Sequence, residues 1–264
     1  MKSSSNRAQV LVSYAQPSTL SARVGLYAYR RDRSDLRAAI AALVDVRPGA
    51  RVLDIGCGET PYFAAWVTRE PAVMIGLDAS WEMLERARCS SSGTASIALV
   101  RGLLDALPFK PRAWDVVLAA HSLYHADEPA RVLARLPTLL RSDGGLYVVL
   151  NGRDHLREIR SLALEAGHPG LLRESARLDA EDAIDILESQ HHVTTRWFED
   201  ELDIPTADPI IAYVDSTRAI YEPLLPGTLT WDAMLDHLAR LVDLQITSAG
   251  TLRVRARSAL IRCE

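Results

Sequence analysis

The chain has 264 residues, of which 48% are hydrophobic and 24% charged, so it can bury a sizeable core and is not disordered. Its formal net charge of -4 provides no long-range pull toward nucleic acid and argues against an RNA or DNA substrate. Cys57, Cys89 and Cys263 lack metal-ligand spacing, no signal-like apolar run opens the chain, and no stretch nears the roughly 20 apolar residues of a membrane span, which predicts a soluble, cytoplasmic, reduced protein without a metal.

In chain order, "SDLRAAIAALVDVRPGA" carries apolar residues at helical spacing and is closed by Pro48-Gly49. "RVLDIG" follows as a buried strand, "PYFAAWVTRE" as a helix and "AVMIGLDAS" as a second strand. "WEMLERAR" reads as a helix, "SIALVRG" and "AWDVVLAAHSL" as the third and fourth strands, and "DEPARVLARLPTLLR" as a helix that Pro137 should kink. Asp143-Gly144-Gly145 is expected to turn the chain into a fifth strand, "LYVVLN". Strands alternating with helices argue for an α/β fold with a parallel sheet covered on both faces.

After residue 152 the pattern changes. "RDHLREIRSLALEAG" and "DAEDAIDILESQ" read as helices, and "HVTTRWFEDEL" and "TLRVRARSALIRC" as strands. A helical block over about 207–248 lies between those strands and reads as an insertion, or lid, covering the ligand crevice.

The stretch "RVLDIGCGETP" carries the first chemical signal. A dinucleotide turn would require a glycine at position 61, where Pro61 removes a backbone donor, and Glu59 puts a carboxylate where two phosphates would sit. A ligand with a cationic or zwitterionic head fits better, its ammonium facing Asp54. Asp78, at the end of the second strand, can accept from two ribose hydroxyls, and Asp105, after the third, from an adenine amino group flanked by Leu104 and Leu107. Each acid alone reads equally well as a helix cap; three at the ends of three consecutive strands make a site.

Taken in order, "VLDIGCGETPYF", "GLDAS", "LLDALPF", "WDVVLAAHSLYH" and "LRSDGGLYVVLN" resemble the class I S-adenosylmethionine-dependent methyltransferases of small-molecule type. The resemblance covers about residues 35–152. It implies a Rossmann-like three-layer sandwich with a seven-stranded, mostly parallel sheet whose last strand runs antiparallel. It divides the chain into a lead helix or cap over 1–34, a cofactor-binding core over 35–152 and a half over 153–264 that completes the sheet. It implies S-adenosyl-L-methionine as cofactor, with S-adenosyl-L-homocysteine as product. Asp54, Gly56 and Gly58 would hold the methionine part, Asp78 the ribose, and Leu104 and Asp105 the adenine, with Cys57, Thr60, Ala79, Ala120 and His121 completing the set. Thr60 departs from the family's usual third glycine; it fits if its dihedrals are negative, and its hydroxyl could donate to the methionine carboxylate.

"PSTLSARVGLYAYR" resembles the family's lead helix and offers Tyr14, Arg23 and Tyr27; "NGRDHLREI" offers Asn151 and Arg153 beside the crevice, and the insertion offers Tyr213. These are the candidate acceptor-binding residues, against the plain alternative of an amphipathic surface helix and an aromatic core. His121 and His125 in "HSLYHADEP" are the candidate general bases, His125 matching a histidine common in the family's pattern. The implied function is in-line methyl transfer to a small-molecule, secondary-metabolite type of acceptor at oxygen, nitrogen or carbon. The competing readings are a cofactor-binding relative repurposed for other chemistry or regulation, and an RNA methyltransferase, which would need a basic surface at the crevice. The sequence leaves the oligomeric state unassigned.

Overall fold

A computed structural model describes residues 17–32, 35–90, 97–171 and 177–264. The chain forms two compact units. One comprises Ser34–Arg153, Glu174–Phe198 and Ser258–Glu264; the other comprises Met1–Arg33, Asp154–Arg173 and Glu199–Arg257.

Strands β1 (Arg51–Ile55), β2 (Val73–Asp78), β3 (Ile97–Arg101), β4 (Trp114–Ala120), β5 (Leu140–Asn151), β6 (Val193–Ile204) and β7 (Leu252–Cys263) make one seven-stranded sheet, in the order β3-β2-β1-β4-β5-β7-β6. Neighbours from β3 to β5 are parallel, and β7 runs antiparallel to β5, from Leu146 against Cys263 to Asn151 against Ser258. The Rossmann-like expectation, antiparallel last strand included, is what the chain forms.

In the first unit, the alternation of side chains along each strand feeds two apolar layers. Val52, Val116, Leu118 and Val149 face α2 (Leu36–Leu43) and α3 (Phe63–Trp66) through Ile40, Phe63 and Trp66. Leu53, Val117, Val148 and Ile261 face α5 (Pro129–Arg135) and α7 (Ala180–Glu188) through Leu133 and Leu187. Local signals set the helix starts. Asp35 accepts the N–H groups of Arg37 and Ala38 at α2, and Asp179 forms a capping box with Asp182 at α7. α4 (Trp81–Ser90) follows β2.

Two details differ from the sequence expectation. The helix before Pro137 stops at Arg135 and tightens into a 3-10 turn over Leu136–Leu139. Asp143-Gly144-Gly145 is not a turn before β5 but lies inside it, where the register against β4 slips between Trp114 and Val116. A Cβ on Gly144 would stand 2.9 Å from the Trp114 carbonyl oxygen, so two backbones meet there at glycine distance.

The second unit has its own core. Helices α1 (Pro17–Gly25), α6 (Arg157–Glu165), α8 (Asp208–Asp215), α9 (Arg218–Tyr221) and α10 (Trp231–Ala249) belong to it. Leu26, Ile159, Ile210, Val214, Met234, Leu238 and Val254 pack together, and Trp231 hydrogen-bonds Asp215 at 2.9 Å. The segment after α1 lies along β6, Arg31 N–H donating to the Glu201 carbonyl at 2.9 Å.

Candidate functional site

Every candidate for holding the cofactor lies in the first unit, at the C-terminal ends of β1, β2 and β4 and after β3. β1 ends at Ile55 and the chain turns sharply, with Gly56 at φ +71° and Gly58 at φ +52°. Gly56 and Cys57 donate N–H to the Leu77 carbonyl at 2.7 and 3.0 Å, which ties the turn to β2. Glycine is required at 56: a Cβ there would stand 2.3 Å from the Ser122 Cβ. Ser122 in turn donates its hydroxyl to the Ile55 carbonyl at 2.6 Å. Sequence reasoning missed this serine; its only signal was its place directly after β4 and His121.

Thr60 corrects the expectation of negative dihedrals. It is 5% exposed and held at φ +53°, a left-handed conformation that is strained for a β-branched residue. Thr60 N–H donates to the Cys57 carbonyl at 2.8 Å, and its own carbonyl accepts from Phe63 N–H at 3.2 Å. The threonine thus keeps a glycine-like backbone and adds a side chain to it.

Asp54 is 1% exposed, and its Oδ2 makes no hydrogen bond among the described residues. Burial, with Asp78 adding to it, pushes its carboxyl from the usual 3.8 up to about 8. Asp78 accepts from Gly58 N–H at 2.9 Å and from Ser80 N–H at 2.8 Å; burial raises its carboxyl, with those donors opposing. Two N–H bonds leave a carboxylate further acceptor capacity. Burial also drives the Cys57 thiol up, so it stays protonated and inert. Ionising the buried Asp54 is costly unless a cation arrives beside it, so these residues fit a ligand with an ammonium head.

Leu104 and Asp105 begin the short turn Leu104–Ala106 after β3. The Asp105 oxygens accept N–H from Asp127 at 3.0 and 3.1 Å and from Glu128 at 3.2 Å, so this acid also ties down the loop entering α5. Ala79 follows Asp78, and Ala120 ends β4 opposite Val149. His121 is held at φ +52° with its N–H on the Val149 carbonyl at 2.8 Å, a strained placement for a non-glycine residue at a strand end. His125 closes the 3-10 turn Leu123–His125 with its ring 4.4 Å from that of Tyr124.

Of the acceptor candidates, Asn151 accepts the Ser258 hydroxyl at 2.9 Å. Arg153 places its guanidinium on Asp179 and Asp182 at 2.7 and 2.8 Å, at the start of α7. The remainder belong to the second unit or lie outside the described residues, as Tyr14 does. Arg23 donates to the Ser216 hydroxyl at 3.1 Å, and Tyr213 is buried in the core. The Tyr27 hydroxyl meets His155 Nε2 at 2.9 Å, and burial pushes its phenol up to about 12. His155 Nδ1 accepts Arg257 N–H at 3.0 Å, so in its neutral form the imidazole carries its proton on Nε2 and donates to Tyr27. That tautomer leaves His155 no free basic nitrogen.

A methyltransferase domain model matches residues 53–148, which run from within β1 to within β5. Among curated relatives, the malonyl-[acyl-carrier protein] O-methyltransferase of Legionella pneumophila is 27% identical over 142 residues, 53% of this chain and 49% of that protein. The aligned stretches span half or less of the first curated relatives' lengths. The fold matches a Bacillus halodurans C-125 protein described as a methyltransferase, with a TM-score of 0.64 at 14% identity over 87% of this chain and 98% of that one. It also matches the [4+2]-cyclase SpnF, with a TM-score of 0.56 at 17% identity over 95% of both chains. The domain match, the sheet order and the turn that joins Asp54 to Asp78 agree: residues 53–148 carry a methyltransferase domain, on the fold of the methyltransferases it resembles.

Proposed function

We propose that the chain binds S-adenosylmethionine at the glycine turn and carries its methyl group to an oxygen of a small-molecule acceptor. The carrying observation is Asp54, a buried carboxylate whose Oδ2 lacks a donor at the end of β1. Asp54 receives the ammonium group, Gly56 and Gly58 let the backbone approach, and the Thr60 hydroxyl donates to the methionine carboxylate. Asp78 adds ribose hydroxyls to the N–H groups it already accepts, and Asp105 shares its oxygens between the loop before α5 and the adenine amino group, with Leu104 against the ring. When bound, the cofactor supplies a methyl group activated by its sulfonium. The chain's remaining work is to align the acceptor, exclude water and take up its proton, a role assigned here to His121 with His125 beside it in sequence. Oxygen is favoured as the methyl acceptor because the curated relative above is an O-methyltransferase.

Two measurements test this. Calorimetry with S-adenosylhomocysteine should give saturable one-to-one binding; no heat at any accessible concentration overturns the cofactor assignment. Tritiated-methyl transfer to a panel of hydroxyl and carboxyl metabolites should label at least one. Binding without any transfer would favour the second reading, a repurposed enzyme, because a [4+2]-cyclase shares this fold.

A further inference from the structure

We infer that a cavity at the opposite end of the same strands is a second binding site, for a zwitterionic α-amino acid. The cavity holds about 190 Å³. Its walls are the loop that leads into β1, the beginnings of β4 and β5, and the end of β7. The glycine turn lies at the C-terminal ends of the parallel strands, so the cavity is separate from the cofactor residues.

Two donors on its wall are unspent. Tyr147 is 2% exposed, and its hydroxyl oxygen accepts Asp45 N–H at 3.1 Å, yet its own O–H has no acceptor among the described residues. The Arg262 guanidinium stands 5.8 Å from the centre of the Tyr147 ring and pairs with Glu264 through its terminal nitrogen. Arg262 Nε is buried and makes no hydrogen bond among the described residues. An O–H and a guanidinium N–H left over at one wall are what a carboxylate oxygen satisfies. Gly145 keeps the phenol in place: a Cβ there would stand 3.0 Å from Tyr147 Cε2 and 3.3 Å from its hydroxyl oxygen.

The charge balance of the wall rejects a simple anion. Arg47 is held on Asp45 at 2.7 Å and Arg141 on Asp115 at 3.0 Å, so neither guanidinium is uncompensated. Asp143 lines the same cavity and makes no hydrogen bond among the described residues, which gives an ammonium group its partner. Arg262 is held by Glu264, so Asp143 is the unmatched charge of the wall; a ligand that brings an ammonium group to it and a carboxylate to the unspent donors is complementary, whereas an anion alone is not.

Nuclear magnetic resonance titrations of the full chain test the site. L-Glutamine, L-serine and L-methionine are titrated separately, with acetate and methylamine as the two half-ligands. At least one amino acid should produce saturable shifts at the Gly49 and Gly145 amides, more tightly than either half-ligand. Tyr147→Phe and Arg262→Gln should each weaken that binding about tenfold, with an unchanged thermal midpoint showing that the fold is intact. Absence of saturable shifts at those amides, acetate binding as tightly as the amino acid, or unchanged affinity in both folded variants would overturn the proposal.

Discussion

Thr60 and Asp54 are the residues at which the site stores free energy. A left-handed L-residue costs about 1–2 kcal/mol, and a β-branched one lies toward the upper end. Thr60→Gly should therefore stabilise the fold by about 1 kcal/mol after glycine's greater chain entropy is subtracted, read as a higher urea midpoint at an unchanged m-value. A lower midpoint would mean that the Thr60 side chain contributes packing worth more than its strain. Asp54 carries a proton in the folded chain up to about pH 8, whereas an unfolded aspartate releases its proton near 3.8. Between those values the folded state binds more protons, so the Asp54 contribution to stability falls as pH rises and levels off above about 8. The ligand trend has the opposite sign, because an ammonium group needs the ionised form. S-Adenosylhomocysteine affinity should rise from pH 6 toward about 8, with a proton released on binding, and Asp54→Asn should abolish both the rise and the proton release. Calorimetry in two buffers of different ionisation heat reads this directly, and a flat wild-type profile would refute it.

At the scale of elements, the glycine turn is a clamp between β1, β2 and Ser122, two residues after β4. Gly56→Ala would force a Cβ to 2.3 Å from that of Ser122 and hold alanine at φ +71°, so it should cost about 2–4 kcal/mol and lower the thermal midpoint sharply. A neutral result would show that Ser122 can move aside. The strands of this clamp were legible in the sequence because "VLDIG", "GLD" and "VVLAA" are apolar runs bounded by turn residues, and the acids that end them were legible for the same reason. The slip inside β5 was not. Asp143-Gly144-Gly145 has the composition of a turn, and only the approach of the Trp114 carbonyl reveals a bulge. The sign of the Thr60 φ was likewise hidden, because the backbone is set by hydrogen bonds to Cys57 and Phe63 rather than by the residue's own preference. Arg153 was legible as a residue near a strand end, but its partners Asp179 and Asp182 lie too far along the chain for spacing to show. The same holds for Tyr147 and Arg262, which meet only because β7 returns beside β5.

Across the whole molecule, the three cysteines report on opening. Cys57 and Cys263 are buried, with burial raising both thiols, while Cys89 is exposed on α4. A thiol reagent should label one cysteine promptly in the native protein and all three after denaturation. Prompt labelling of a second would show that the glycine turn or the end of β7 opens readily. None of the described helices is long and apolar enough to cross a membrane.

β7 lies between β5 and β6, yet it is made after both of them. While the ribosome adds residues 205–251, β5 presents a bare edge and β6 has no neighbour in the sheet; among the described residues, the segment around Arg30 and Arg31 is laid along it. The nascent chain therefore passes through a stage with two unfilled edges that strand β7 alone can close, and this is when it is most exposed to mispairing with other chains. A stop codon at the start of β7 would leave this stage permanent, making aggregation in the cell, rather than weakened catalysis, the expected phenotype of such a truncation.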